Sequence, residues 1–542
     1  GFLGRLGHRP LTFVLLLLSP MAASAQDPTQ LDVKDERPTY GEVMKKSAAL
    51  ARELRSSYGI ERGRCVAIAG RNHPDWVVSL LAITGFLGAV ALPVNSWWMG
   101  DELRYGLEDS GAALLIADAF VLQRAPFLSD INVPAIVMRG DTTRLPVGTR
   151  GLAEVVAAGL SLQPIPLQPV NKDDTAMLMY TSGTTNKPKG VVLTQRGIMS
   201  AINGYRLLNY SNAQPTAQLV YLVGSPLFHV TGSHVALLAA VCMGARLCLM
   251  YKWDAGRALK VVQDEKVVTL IGVPTMTYDI ANHPDFAKYD TSSLIGVGGG
   301  GAAFAGSMIR RVNDKFKNAK AGTGYGLTET NAISVFMPGV IFPARPTSCG
   351  LPIANVEVCI LDELNKKVAA GQMGEICFHG AGVMKEYWGK PDKTAEAFHI
   401  DEEGRLWFRS GDLGALDEDG FVYIMDRAKD IIIRGGENIS CGEVEGAIYE
   451  HPSVAEVAAV GLPHETLGEI VAVVVVVKVG SPSLSADELR KYAAGRLAGF
   501  KVPAEIYIWP DEGLPRGATG KIQKREIREQ LSARRGALQS KM

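Results

Sequence analysis

The sequence predicts an α/β fold: a large N-terminal domain of α/β sheets with a β-rich subdomain, then a small α+β C-terminal domain. Three observations predict it. From Arg37 onward, apolar runs of strand length alternate with segments of helical spacing. From about Cys349, short strand-like runs are parted by Gly and Asp. From Asp426 the chain holds two further strand runs and one capped helix, enough for a separate unit. A chain of 542 residues is also too long for a single core.

The elements follow in order. Thr39-Tyr40-Gly41-Glu42 is a capping box, and Val43, Leu50, Ala51 and Leu54 recur at helical spacing behind it. Strands are expected at Cys65–Ala69, Ala89–Pro93, Ala112–Ile116 and Ala135–Met138, with helices at Asp75–Leu87 and Glu102–Asp109. Pro164, Pro166 and Pro169 stiffen a connector. Thr175–Tyr180 and Gly190–Leu193 are strands, and Thr194 caps a helix. The alternation resumes through strands at Leu219–Val223, Arg246–Met250, Val267–Gly272 and Leu294–Val297. Helices are expected at Ser233–Met243, Ala255–Glu265 and Gly306–Phe316. The β-rich part holds Val356–Leu361, Gly374–Phe378, Leu406–Phe408 and Phe421–Met425. The last unit holds strands Ala455–Val460 and Glu469–Lys478, and Ser485-Ala486-Asp487-Glu488 opens a helix to about Leu497. The basic tail after Arg516 reads as a solvated helix.

Composition excludes some classes. The formal net charge is zero, so no basic field exists to hold nucleic acid. None of the seven cysteines forms a Cys-x-x-Cys pair, which argues against a zinc site and a disulfide framework and favours a reducing, cytoplasmic setting. The first residues point the other way. Arg5, His8 and Arg9, then apolar Phe13–Leu18, then Ala23-Ser24-Ala25 have the order of a secretory signal. Residues 1–36 are therefore a signal-like segment, with export, membrane association, a buried first strand and an inserted segment all open. The apolar run is too short for a stable transmembrane span.

The most informative stretch is Tyr180–Gly190, Tyr-Thr-Ser-Gly-Thr-Thr-Asn-Lys-Pro-Lys-Gly. Backbone N–H groups, hydroxyls and two lysines between strands suit a polyphosphate. It is not a Walker A loop, because Pro188 stands where Gly-Lys-Ser/Thr would follow. The plain alternative is a polar turn. Gly296–Gly301 satisfies Gly-x-Gly-x-x-Gly, but no acidic residue follows at dinucleotide spacing. A glycine strip on which a flat ring or an acyl chain lies is the better reading. No Gly-x-Ser-x-Gly or His-Glu-x-x-His exists. His229 alone reads equally as a structural histidine. Gly324–Glu329 ends in a hydroxyl and a carboxylate, and a carboxylate beside phosphates implies magnesium; the alternative is a solvated loop Glu. Asp412, after a strand, can accept ribose hydroxyls or cap a turn. Lys521, after a glycine-rich loop, can carry charge into a site or stay solvated.

Together and in this order, these motifs resemble an AMP-forming acyl-CoA synthetase of the adenylate-forming superfamily, which also holds luciferases and adenylation domains. The likeness runs from near Arg37 to Lys521. It implies an adenylate-forming domain over 37–426 and a mobile lid over 427–542. It implies that Thr181, Ser182, Gly183, Thr184, Thr185 and Lys189 hold the β- and γ-phosphates. It places Gly300, Gly301, Ala302 and Tyr325 around adenine, Thr328 on the α-phosphate and Glu329 on magnesium. Asp412 with Arg427 would grip the ribose, and Lys521 would bridge the substrate carboxylate and the α-phosphate. His229 would gate the thiol channel, Lys429 would be the hinge, and Gly436 would border the pantetheine path. Asn186 and Ser410 depart from residues frequent in the family, and the first thirty-odd residues match nothing in it.

The implied cofactors are ATP, Mg2+ and coenzyme A, and the implied partner is a small carboxylic acid, with a homodimer admitted as the assembly. Small or apolar Val230, Gly298–Gly300 and Ala332 favour a medium- or long-chain fatty acid. An aromatic, coumarate-like acid is the runner-up. An adenylating enzyme without coenzyme A is a further class.

Overall fold

The computed structural model describes residues 30–31, 36–167, 169–181, 187–210, 218–300, 312–427, 430–478, 480–482, 484–509, 513–517 and 521–539. Of the residues singled out in the sequence, Ser182, Gly183, Thr184, Thr185, Asn186, Gly301, Ala302 and Lys429 lie outside the described residues.

Two eight-stranded sheets form the body of the large domain. One is built on parallel strands Cys65–Ala69, Val90–Pro93, Leu115–Ala117 and Ala135–Val137, with the antiparallel pair Thr175–Thr181 and Lys189–Thr194 on its flank. The other runs in parallel through Arg246–Leu249, Val220–Val223, Thr269–Gly272, Gly296–Gly299 and Lys320–Tyr325. Gln30–Leu31 pairs in parallel with Cys248 and Leu249 at its edge. The sheet thus takes in residues before Arg37, where the alternation of elements was expected to begin.

Local chemistry explains the elements. The expected capping box on Tyr40–Tyr58 is present, with Thr39 accepting from the Glu42 N–H. Its Val43, Leu50 and Leu54 enter a core shared by both sheets, together with Ile68, Met177, Tyr221 and Val223. The outer face of the first sheet packs on helix Gly100–Ser110 through Leu103 and Leu107. The outer face of the second packs on Ala255–Glu265 through Ala258, Leu259 and Val262. Thr194 caps the next helix, accepting from the Gly197 N–H at 3.1 Å.

Several expectations need correction. The expected helix Asp75–Leu87 is Pro74–Leu81 followed by a π turn over Ala82–Phe86, and Ser233–Met243 is a π segment Thr231–Leu238 followed by Ala239–Cys242. Single-turn π geometry leaves no mark in apolar periodicity. The glycines at 296–299 do not follow a strand; they are the strand, paired in parallel on both sides. Leu406–Phe408 extends to Leu416, because a bulge lets pairing continue past Asp412. The C-terminal helix Lys524–Gln539 is not simply solvated, since Ile527 and Leu531 are buried against the last sheet.

The β-rich part is a five-stranded sheet containing Val356–Leu361, Gly374–Gly380, Phe398–Ile400, Leu406–Leu416 and Val422–Arg427. The last unit is a five-stranded sheet centred on the long antiparallel pair Val454–His464 and Gly468–Val477. Near-continuous valine suits the second of these, because helices cover both faces. The capping box at Ser485 is formed with Glu488. No helix among the described residues is long and apolar enough to cross a membrane.

Candidate active site

The sheets converge on one cleft of 3820 Å³. Of the residues singled out above, Thr181, Lys189, His229, Gly300, Tyr325, Thr328, Glu329, Asp412, Arg427 and Lys521 all line it. They come from six segments of the chain that are up to 340 residues apart in sequence.

Strands Thr175–Thr181 and Lys189–Thr194 form an antiparallel hairpin in which Thr181 pairs directly with Lys189. A carboxylate that belongs to no sequence motif anchors its base. Asp109 accepts from Tyr180 Oη at 2.6 Å and from Tyr105 Oη at 3.1 Å, and Lys390 Nζ lies 3.2 Å away. The Trp388 indole donates to its carbonyl at 3.0 Å. Lys189 Nζ sits 3.7 Å above the Tyr387 ring, and Tyr387 Oη donates to Glu329 Oε1 at 2.8 Å. A single tyrosine thus links the hairpin lysine to the carboxylate expected to face magnesium. Tyr387 belongs to no motif recognised in the sequence.

Glu329 is buried in the short turn Thr328–Thr330, which follows strand Lys320–Tyr325. Gly326 permits the turn: a Cβ there would come 1.7 Å from the Ala332 carbonyl oxygen. Asn331 and Ala332 then take φ of 56° and 88°, a left-handed pair costly for residues with a Cβ. Glu329 fits a magnesium site of the kind completed by substrate phosphates, in which protein supplies one or two carboxylates. No cluster of three or more His, Cys, Asp or Glu suited to a metal exists among the described residues, as such a site requires none.

Asp412 is aimed by a bulge. Pairing jumps from Glu375–Leu413 to Cys377–Arg409, so Ser410, Gly411 and Asp412 stand opposite Ile376. Glu375 pins the bulge, accepting from the Gly411 N–H at 2.9 Å and holding Arg409 at 2.6 Å. Tyr325 Oη donates to Asp412 Oδ2 at 2.7 Å, and Arg427 Nε lies 3.4 Å from Oδ1. Burial pushes the Asp412 carboxyl up, opposed by the Tyr325 hydrogen bond and the Arg427 and Lys521 charges.

Lys521 reaches this cluster from the C-terminal unit. Its carbonyl accepts from the Gly517 N–H at 2.9 Å, and Arg516 forms an antiparallel bridge with Ile522. The side chain is open to the cleft but surrounded by protein. That desolvation, with the neighbouring Arg427 charge, pulls the ammonium down to about 8 against the opposing pull of Asp412 and Asp430. His229 is also lowered, to about 4, by burial first and the Lys521 charge second. It is neutral, with Nδ1 accepting from the Thr231 N–H at 3.3 Å. Beside Lys521, Lys524 pairs with half-buried Glu445 at 2.8 Å.

Gly436 is not brought to the cleft. Gly435 and Gly436 take φ of 60° and 90° in the two-residue turn between Ile432–Arg434 and Glu437–Ile439, the I′ arrangement glycine favours. The same unit presents Ser440, Cys441 and Gly442 to the cleft instead.

Comparison with known proteins agrees with this geometry. The AMP-binding enzyme family model matches residues 21–388, and the AMP-binding enzyme C-terminal domain model matches 443–521. A feruloyl-CoA synthase from Amycolatopsis is 35% identical over 91% of this chain and 94% of its own. A long-chain-fatty-acid–CoA ligase from Bacillus subtilis is 30% identical over 95% of this chain and 94% of its own. The o-succinylbenzoate–CoA synthetase of Bacillus subtilis, solved with its acyl-adenylate intermediate, superposes with a TM-score of 0.80 at 28% identity, covering 95% of this chain and 97% of that one. From the hairpin at Thr181 to the lysine at 521, the chain belongs to the AMP-binding enzyme family.

Proposed function

We propose that the chain is an AMP-forming acyl-CoA synthetase that joins a medium- or long-chain fatty acid to coenzyme A through an acyl-adenylate. The carrying observation is the meeting of Lys521, Asp412, Arg427 and His229 in one cleft although Lys521 arrives from a separate unit.

The chemistry needs that meeting. A carboxylate must attack the α-phosphate of ATP, so two anions must approach, and pyrophosphate leaves. The Lys521 ammonium, between them, offsets the repulsion and holds the attacking oxygen in line. Asp412 accepts the ribose hydroxyls, Tyr325 lies against adenine, and the hairpin with Lys189 receives the β- and γ-phosphates. Thr328 donates to the α-phosphate. Magnesium, held through Glu329, neutralises phosphate charge when bound. The coenzyme A thiol then attacks the acyl carbon and AMP leaves. Neutral His229 stands where the acyl and thiol paths meet. Lid rotation about the segment containing Lys429 would withdraw Lys521 and bring the Gly436 turn inward.

The second sheet supports the substrate class. Register places Gly296, Gly298, Gly322 and Gly324 on one face, between Thr269 and Ile271 on one side and Phe336 on the other. Lys320, the partner of Gly296, bounds this face at one end, and beyond it the two adjacent strands lack side chains along about 7 Å of length. Such a furrow suits an extended alkyl chain. Similarity to a feruloyl-CoA synthase favours a second reading, an aryl acid lying flat on the same glycines.

Acid-dependent ATP–pyrophosphate exchange across straight-chain acids and hydroxycinnamates tests the substrate. Exchange rising with alkyl length supports the fatty acid, and exchange confined to the aryl acids overturns it. Thioester formation that requires coenzyme A tests the second half-reaction. Lys521→Ala is expected to lose exchange by about 100-fold or more, while still converting supplied acyl-AMP to thioester. Unchanged exchange would remove Lys521 from the mechanism.

A further inference from the structure

The seven cysteines show no paired spacing in sequence, but the fold makes one pair. Cys359 on Val356–Leu361 and Cys377 on Gly374–Gly380 are direct cross-strand partners in an antiparallel ladder. Directly opposed residues have Cα atoms about 4.5–5.5 Å apart, inside the range a disulfide spans. Both side chains lie on one face of the sheet, in a small buried cluster with Leu361 and Trp407. Both are free thiols. Val356–Leu361 is the edge strand of its sheet, so local fraying exposes Cys359 without opening the domain.

We propose that Cys359 and Cys377 form a redox modification site that closes to a cross-strand disulfide by exchange with a low-molecular-weight disulfide. The Cys359 thiolate attacks one sulfur of that disulfide and expels one thiolate. Cys377, losing its proton, then attacks the Cys359 sulfur and expels the second. Two protein thiols lose two protons and two electrons, and the reagent leaves as two thiols. The order of attack follows from the surroundings. A hydrogen bond from Cys377, aided by the Lys367 and Arg405 cations, holds the Cys359 thiol below its ordinary value against the opposing effect of burial. Cys377 is pushed up by the same hydrogen bond and by burial.

The site sits beside the cleft but outside the catalytic machinery. Cys377 is opposite Arg409, which Glu375 holds, and Glu375 also pins the bulge that presents Asp412. Closure ties the edge strand to the strand that carries this clamp. The inference does not depend on which acid the enzyme takes.

The test uses the folded full-length enzyme. It is incubated with oxidised glutathione, alkylated, digested without reductant and mapped by mass spectrometry. The expected product is a peptide containing Cys359 joined to one containing Cys377, two hydrogens lighter than the pair and separated again by dithiothreitol. Cys359→Ser and Cys377→Ser each abolish the product and keep ATP–pyrophosphate exchange within about twofold of wild type. The oxidised wild type melts several degrees higher than the reduced one, and the double serine variant does not shift. Full alkylation of both thiols after the incubation, separate glutathione adducts on each, or an unchanged melting temperature in protein carrying the bridge would each overturn the proposal.

Discussion

Lys521 makes the adenylation step sensitive to mildly alkaline pH. In the free enzyme, desolvation and the Arg427 charge bring its ammonium down to about 8. Only the cation can bridge the substrate carboxylate and the α-phosphate, so kcat/KM for adenylation should fall as pH rises through 8. With one proton involved, about half the enzyme is competent at pH 8 and about one tenth at pH 9. Lys521→Arg replaces the ammonium with a guanidinium that stays charged throughout this range. Its absolute rate should be lower, because a planar fork does not reproduce an ammonium's reach. Its profile should be flat from pH 7 to 9. The assay is the initial rate of pyrophosphate release at subsaturating acid, with ATP and magnesium held constant. An identical alkaline limb in wild type and Lys521→Arg would refute the reasoning and assign the titration elsewhere. The same shift has a stability consequence. The unfolded chain binds the lysine proton up to about 10.5, the folded one only to about 8, so folding is favoured as pH rises through that window. Lys521→Met should therefore modestly raise the melting temperature at pH 7 and leave it unchanged above pH 10.5.

Three further outcomes follow from the geometry. Asp412→Asn removes a buried carboxylate that faces Tyr325 and Arg427, and steady-state kinetics should show KM for ATP rising by roughly 10- to 100-fold with a smaller change in kcat. Gly296→Val fits the space present, where a Cβ meets only Thr269 atoms at 3.8 Å, and in exchange assays it should abolish long straight-chain acids while sparing short ones. Lys524→Met strands Glu445 in the lid, and calorimetry should show a loss of about 3–5 kcal/mol that the added change Glu445→Leu largely restores.

The alternation of apolar runs made the α/β class legible, and turn chemistry made the two capping boxes legible to the residue. The order of short motifs marked the cleft, because hydroxyls, glycines and lysines carry their chemistry locally. Its support was not legible. Asp109 and Tyr387 act only through contacts with the hairpin and Glu329, and nothing in their own neighbourhoods of sequence announces that. Asp412 looked like a strand-end residue because a bulge has no periodicity of its own, and only pairing with Val422–Arg427 reveals it. Cys359 and Cys377 were hidden for the same reason: adjacency across a ladder is set by register, which composition does not encode. The glycine furrow was half legible, since a run of glycines marks close approach but not which face stays bare.

The left-handed pair at Asn331 and Ala332 bears on how this enzyme's selectivity can drift. Ala332 lines the cleft at φ 88°, so one wall of the cavity is held in place by tension in the main chain as well as by bulk. Replacing it with glycine would release that tension while removing only a methyl group. A change of appetite for acids of different girth is thus available to this lineage in one small step, without rebuilding the cavity's lining.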